Sequence, residues 1–418
     1  MNERACDVEA EESWGWRFGF WSLMATQFQN AFSDNALKNL IILSAMARPM
    51  SAWERDTQVV LAGALFALPF ILFSMLGGWL ADRFSKCLVI RRVKQAEVGI
   101  MLFASAGLGL GNQPMQMGAI FLMGCHSAVF GPSKYGILPE VLPPERLSWG
   151  NGILELLTFL GIIVGTLFGG LFADWFRNAP AMSGWCLVLV AALGWWMSRG
   201  IPEVPAADPT CLFRVNPVGA FWRQLMRMRA DRDLWRANWG NAVFFFVAAL
   251  VQMNLVLFAH EVLHLGEREN AYLNAALALG IGFGSVCAGI LSRGRIEYRL
   301  VPVGSVLLAL GALWMGLPEV ETASFSVALS VMGIGAGLYI VPIAAVLQKR
   351  PAPDQKGAVQ GAASLLSFMG ILGASGVQKV LRMRIEPGQV FWVCGAVALS
   401  IGGYVAWSRR AEMMGRTP

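Results

Sequence analysis

Gln58-Val-Val-Leu-Ala-Gly-Ala-Leu-Phe-Ala-Leu-Pro-Phe-Ile-Leu-Phe-Ser-Met-Leu-Gly-Gly-Trp-Leu-Ala81 runs for 24 residues without a charged side chain. A helix that crosses the hydrocarbon core of a bilayer needs about 20 mostly apolar residues, so this run is long enough to span. Eleven further stretches of the same kind lie at approximately 18–46, 89–111, 114–131, 150–172, 180–198, 236–259, 271–291, 300–317, 324–346, 358–380 and 389–408. The composition agrees: 56% hydrophobic, 14% charged, mean hydropathy +0.54, which is not an ordinary soluble domain. Glycine, 46 of 418 residues, is enriched as expected where helices approach closely. The runs are long and continuous rather than short and alternating, which argues against a barrel. The predicted fold is an all-α polytopic membrane protein with twelve transmembrane helices.

Lysine and arginine orient it. With both termini inside, the inner segments carry 25 of the 33 basic residues, the outer loops carry 7, and Lys38 lies within the first stretch. That asymmetry predicts cytoplasmic termini and a cytoplasmic 199–235 connection. The net charge of +6 then reports topology and contact with anionic lipid, not nucleic acid. The acidic first residues do not resemble a cleavable signal, and Trp14 and Trp16 read as interfacial anchors. The cysteines lack metal-like spacing, and neither a disulfide nor a cofactor is expected.

The first stretch is interrupted by Gln27-Phe-Gln-Asn30-Ala-Phe-Ser-Asp34-Asn35-Ala-Leu-Lys38-Asn39. A charge on a lipid-facing helix centre costs roughly 2.5–3.5 kcal/mol, so such groups usually face a polar interior. On a helix Gln27, Asn30, Asp34 and Lys38 share one face, with Asn35 beside it. This helix reads either as the wall of a polar cavity or as a structural Asp–Lys pair, since Asp34 and Lys38 are one turn apart and can neutralise each other. Lys94 and Glu97 in the third stretch, Glu155 in the fifth, and Gln252 and Asn254 in the seventh are the other candidate cavity residues, with Glu97 and Glu155 equally suited to a gate pair. The run Phe244 to Phe246 suits an apolar path or a lipid-facing surface.

Internal repetition predicts two six-helix halves, residues 1–198 and 236–418, joined by the linker 199–235. Asn151-Gly-Ile-Leu-Glu-Leu-Leu-Thr-Phe-Leu-Gly-Ile-Ile matches the segment starting at Gln360 in six of thirteen positions, 209 residues later. A fainter echo relates Gly78-Trp-Leu-Ala-Asp82-Arg83 to the segment starting at Gly289, 211 residues on, with Arg293 where the first copy has Asp82. Recurrence six helices apart is what duplication of a six-helix unit produces. The linker begins Pro-rich, as a flexible spacer would, and its part from Phe221 to Trp235 suggests an amphipathic helix on the inner membrane surface. Gly161, Gly165 and Gly169 form a small-residue stripe for close packing, at a moving interface or a static one.

Gly78-Trp-Leu-Ala-Asp82-Arg83-Phe-Ser-Lys86 resembles the cytoplasmic signature of the major facilitator superfamily, with Ser85 where that signature has glycine. Its carboxylate is expected to pair with cations of a neighbouring helix and latch one conformation. More narrowly, Phe32-Ser-Asp34-Asn35-Ala-Leu-Lys38 and Gly131-Pro-Ser-Lys134-Tyr135-Gly-Ile-Leu-Pro-Glu140, followed by Asn151-Gly and Glu155, are similar to bacterial lysophospholipid transporters. So are Tyr272-Leu-Asn274 and Val341-Pro-Ile-Ala-Ala-Val-Leu-Gln348, and the likeness runs from about residue 20 to 408. The resemblance implies the major facilitator fold and movement of lysophospholipids, such as lysophosphatidylethanolamine, from the outer to the inner leaflet of the bacterial cytoplasmic membrane. It implies head-group contact by the cavity residues above, and gating by Gly78, Asp82, Arg83, Lys86, Lys134, Tyr135, Asn151 and Gln348. An acyltransferase and an acyl-carrier-protein ligase are expected as partners in trans, the chain stopping at Pro418 without a His-x4-Asp pattern.

Two rivals stand beside this expectation. A proton-coupled exporter of drugs or metabolites keeps the fold and uses Asp34, Glu97 and Glu155 as proton carriers. His260-Glu261-Val-Leu-His264 is a literal His-Glu-x-x-His, which on a helix holds zinc. It falls at a predicted outer helix end without a third ligand motif, so no metal or catalytic site is expected there.

Overall fold

The computed structural model describes residues 2–46, 51–213, 216–318 and 320–413, and the Trp14 anchor lies outside the described side chains. Within them the chain is all helical: α1 (Asn2–Met46), α2 (Ala52–Arg83), α3 (Lys86–Gly109), α4 (Gln113–Val141), α5 (Leu147–Trp175), α6 (Pro180–Ser198), α7 (Pro217–Arg229), α8 (Arg232–Glu261), α9 (Glu267–Leu291), α10 (Leu300–Met315), α11 (Thr322–Lys349), α12 (Lys356–Arg382) and α13 (Pro387–Met413). Twelve of these overlie the twelve apolar stretches, and α7 is the additional short helix in the linker. Eight are long and apolar enough to cross a membrane by length and composition alone. Of the rest, α10 has only 16 residues, while α1, α3 and α4 carry the polar groups of the site below.

Local chemistry sets the helix ends. Ser51 and Glu54 close a reciprocal capping box on α2: the Glu54 N–H donates to Ser51 Oγ at 3.3 Å and the Ser51 N–H to Glu54 Oε2 at 2.8 Å. Those bonds hold the Glu54 carboxyl below its ordinary range. Asp231 caps α8, accepting from the amides of Asp233 and Leu234. The α3–α4 turn passes through Gly111 at φ 62°, a left-handed backbone that glycine adopts without strain.

The chain divides into two compact units, Met1–Pro143 with Gly161–Leu225 and Pro351–Leu365, and Pro144–Leu160 with Met226–Arg350 and Leu366–Pro418. In the first unit the α5 glycine stripe lies against α1. A Cβ on Gly161 would sit 2.7 Å from the Phe28 carbonyl, one on Gly169 2.7 Å from that of Ala36, and one on Gly165 against Phe32. With Phe28, Phe32 and Ala36 turned to α5, helical geometry turns Asn30 and Asp34 to the opposite side of α1. The core of this unit includes Leu37, Leu40 and Ile41 of α1, Met101 and Ala104 of α3, and Ile120 and Met123 of α4.

In the second unit α11 is the central element, buried along most of its length. Its glycines admit α9 and α10 to backbone contact, as at Gly335 against Gly304. Phe258, Phe325 and Phe391 pack into one cluster with centroids 4.9–5.8 Å apart, the first two stacked and Phe391 edge-on to both.

The Pro-rich part of the linker is a strap on the first unit. Arg91 donates to the Arg199 and Ile201 carbonyls and pairs with Glu203 at 2.8 Å. The Asp208 amide donates to the Asp82 carbonyl at 2.8 Å, and Trp79 Nε1 to the Cys211 carbonyl at 3.1 Å. These pins replace the flexible spacer that its prolines suggested. Thr210 donates twice to Asp208, which holds that carboxyl below its ordinary range.

Candidate functional site

The polar face of α1 meets α3 and α4 inside the first unit. Ser127 Oγ of α4 donates to Asp34, lying 2.8 Å from both carboxylate oxygens, and Asn30 Nδ2 donates to Asp34 Oδ2 at 3.1 Å. Asn30 Oδ1 in turn accepts from Lys94 Nζ at 3.4 Å. Lys94 and Glu97, one turn apart on α3 and fully buried, form an ion pair. Glu97 Oε1 also accepts from Gln29 Nε2 at 2.8 Å, and Glu97 Oε2 lies 3.4 Å from His126 Nε2. Gln29 Nε2 reaches Ser33 Oγ as well, at 2.8 Å. Two adjacent residues of α4 thus each face a carboxylate: Ser127 donates to Asp34, and the His126 ring lies beside Glu97 without a hydrogen bond to it. The Phe130 ring lies beneath both Lys94 and Lys134, whose ammonium groups are 5.8 and 5.9 Å from its centroid.

The charges here are sorted in a particular way. Lys94 is neutralised by Glu97. Asp34 receives hydrogen bonds from neutral donors, and no described cation lies within ion-pair distance of it. Lys38 contacts Asn35 Oδ1 at 3.5 Å and lies over the Phe66 ring at 5.5 Å. The structural Asp34–Lys38 pair, one of the two readings of this face, is therefore not formed. Both side chains are half-buried rather than sealed. A carboxylate and an ammonium held apart without neutralising each other suit a ligand carrying both charges. Asn35 donates to the Ala31 carbonyl at 2.9 Å, and Gln27 is buried on α1.

The remaining cavity candidates belong to the second unit. Glu155 is buried on α5. Gln252 hydrogen-bonds Asn274 of α9. Asn254 ties three helices, donating to the Pro387 carbonyl at 2.8 Å and accepting from Gln378 at 3.2 Å. Its amide is occupied by protein partners. Sequence reasoning missed Gln29, Ser33, His126 and Ser127; the first two lie in the quoted polar run, and the last two stand as an isolated polar pair in the fourth stretch.

A second cluster lies at the end of α2. Asp82 accepts from the amides of Gly357 and Ala358 at 2.6 and 2.7 Å, so its partner is the N-terminus of α12 rather than a cation. Gly78 makes this approach possible, since a Cβ there would lie 2.6 Å from the Gly357 carbonyl. Lys86 pairs with Glu140 at 2.8 Å, and Lys356 approaches the same oxygen at 3.8 Å. Arg83 is half-buried beside this joint, and Lys134 lies over its neighbour Tyr135, 4.7 Å from the ring centroid.

The sequence echo reappears as geometry. Gly361 is pressed on the Ser74 carbonyl in the first unit, and Gly152 on the Ser285 carbonyl in the second. Gly289 likewise approaches Ser148 and Trp149, as Gly78 approaches Gly357. The second joint lacks the carboxylate. Arg293 and Gly294 there turn through left-handed backbone, and Ser148 Oγ donates to the Arg295 carbonyl at 3.1 Å. It is braced instead by reciprocal amide bonds between Asn151 and Gln348, at 2.9 and 2.7 Å, both residues buried.

The His-Glu-x-x-His segment does not form a helical metal site. Helix α8 ends at Glu261, His264 sits at φ 53°, and Glu261 is engaged with Arg382. Among the described residues no group of three His, Cys, Asp or Glu is placed to hold a metal.

The profile described as Major Facilitator Superfamily matches residues 17–375. Lysophospholipid transporter LplT of Enterobacter sp. (strain 638) is 29% identical over 414 residues, covering 94% of this chain and 97% of the relative. The protein of that name from Salmonella newport (strain SL254) is 30% identical over 342 residues, 80% of each chain. Among solved structures, the human organic anion transporter MFSD10 (TETRAN) aligns with a TM-score of 0.79 at 15% identity, covering 93% of this chain and 99% of that one. FucP in its outward conformation aligns with a TM-score of 0.76 at 12% identity, covering 94% and 99%. These structures share the fold. The chain belongs to the Major Facilitator Superfamily.

Proposed function

We propose that this protein is a lysophospholipid transporter of the bacterial cytoplasmic membrane, with both termini inside, that moves its cargo from the outer to the inner leaflet. The observation that carries the reading is the half-buried Asp34 and Lys38 on α1, which make no ion pair with each other. A lysophosphatidylethanolamine head presents an ammonium for Asp34 and a phosphate for Lys38 or Lys134. Relatives named lysophospholipid transporters, aligned along 94% of the chain, support the same cargo. Residues 1–198 and 236–418 act as two halves that rock about the cargo, exposing it to one side and then the other. Asp82 on the α12 N-terminus and the Asn151–Gln348 pair brace the end that must open for release. Glu97 and Lys94 hold the site's shape, and Glu155 and Gln252 are further candidate head-group contacts. The acyl tail stays in apolar surroundings throughout. The chain transports and does not catalyse, and a separate acyltransferase with its acyl-carrier-protein ligase consumes the delivered lipid. Uptake of labelled lysophosphatidylethanolamine into proteoliposomes tests this reading. Saturable uptake above empty liposomes supports it, and folded protein that moves none rejects it.

A further inference from the structure

The linker helix α7 (Pro217–Arg229) has one face seated in the protein and another turned outward. Gln224, Leu225 and Met228 are buried. Val218, Trp222 and Met226 recur every fourth residue and are 75%, 60% and 37% exposed. At helical spacing they form one outward stripe. Arg223 and Arg227 are exposed along one edge of that stripe, and Arg229 is exposed at the helix end. No Asp or Glu occurs between Asp208 and Asp231, and Arg214 adds a fourth basic residue to that segment. An exposed apolar stripe with a tryptophan at its centre, flanked only by arginines, is a poor surface for water. It matches a bilayer interface, where the indole sits at headgroup level and the arginines meet lipid phosphates.

We propose that α7 docks on the anionic phospholipids of the surrounding inner leaflet, through Trp222 and Met226 in the interface and Arg223, Arg227 and Arg229 on the headgroups. The surface charge of the leaflet then orders the linker. Charge complementarity selects this occupant: a stripe of apolar groups alone would suit any hydrophobic partner, whereas unopposed arginines favour anionic lipid over zwitterionic lipid. The proposal rests on the cytoplasmic placement of the linker given above, and its test is independent of cargo.

The experiment is hydrogen–deuterium exchange of the full-length protein in nanodiscs of phosphatidylethanolamine alone or with phosphatidylglycerol. Amides of 217–229 should exchange about tenfold more slowly with phosphatidylglycerol present, and 0.5 M salt should remove most of that difference. The triple variant Arg223→Gln, Arg227→Gln, Arg229→Gln should lose the lipid dependence while α11 amides keep their protection. Trp222→Ser should weaken protection in both lipids. Equal exchange of wild-type α7 in the two lipids overturns the proposal. So does protection that appears only on adding cytosolic protein, which assigns the face to a protein partner. Failure of lysolipid uptake leaves the exchange result readable, so the two proposals fail separately.

Discussion

Replacing Asp82 with alanine isolates the joint between α2 and α12. The carboxylate accepts two amide hydrogen bonds, at 2.6 and 2.7 Å, from the first turn of a 27-residue helix. A hydrogen bond to a charged group contributes about 1.5–3 kcal/mol, and an anion at a helix N-terminus adds roughly 0.3–2 kcal/mol. Water entering the gap recovers part of this, leaving a net cost of about 2–4 kcal/mol for opening the joint, or roughly 30- to 700-fold in its equilibrium. Asp82→Asn keeps one acceptor oxygen and loses the charge, so it should fall between. Amide exchange of residues 356–361 reads the opening directly, because protection reports the free energy of local opening. Protection should drop by that factor in Asp82→Ala, less in Asp82→Asn, and not at all around Asn151. Unchanged protection in a folded Asp82→Ala protein would refute the claim that this carboxylate holds the joint.

The counterpart joint supplies a different test. Asn151→Ala and Gln348→Ala should each cost about 1–3 kcal/mol by stranding a buried amide, and the double variant should cost clearly less than their sum in denaturant or thermal unfolding; strict additivity contradicts the reciprocal pair. On the α5 stripe, Gly165→Ala forces a Cβ into the Phe32 backbone, whereas Gly170→Ala meets only Leu43 at 3.7 Å. The first should lower the melting temperature by several degrees at a cost of about 1–3 kcal/mol, and the second should leave it nearly unchanged. Ser127→Ala removes the hydroxyl that bridges Asp34, which should reduce uptake efficiency about tenfold with little loss of thermal stability. Ser127→Thr, which keeps the hydroxyl, should retain most of the activity.

Much of this arrangement could be read from the chain because apolar length and helical spacing are written in side chains. The runs such as 58–81 became helices, and Gly161, Gly165 and Gly169 became a packing stripe because glycines four apart fall on one face. The offset of 209 to 211 residues pointed to paired elements that do make equivalent contacts. The partner of Asp82 was not legible, because it is a pair of backbone amides 275 residues away or more, and amides have no residue signature. The strap was misread for the same reason: its pins are the carbonyls of Arg199, Ile201 and Cys211, invisible beneath a Pro-rich composition. The polar face of α1 was legible from its spacing, while its hydrogen-bond partners were not. Spacing brings Asp34 near Lys38, yet the tertiary structure gives Asp34 to Ser127 and spends Lys94 on Glu97.

Asp34 is the residue proposed to hold the cargo's head group. Its most direct test is initial uptake of labelled lysophosphatidylethanolamine into proteoliposomes containing wild-type protein, Asp34→Ala, or no protein, with folding of the variant verified by its melting temperature. Wild-type uptake should be saturable, with Asp34→Ala at the level of empty liposomes and its fold intact. Wild-type uptake by Asp34→Ala would contradict the assignment of this site.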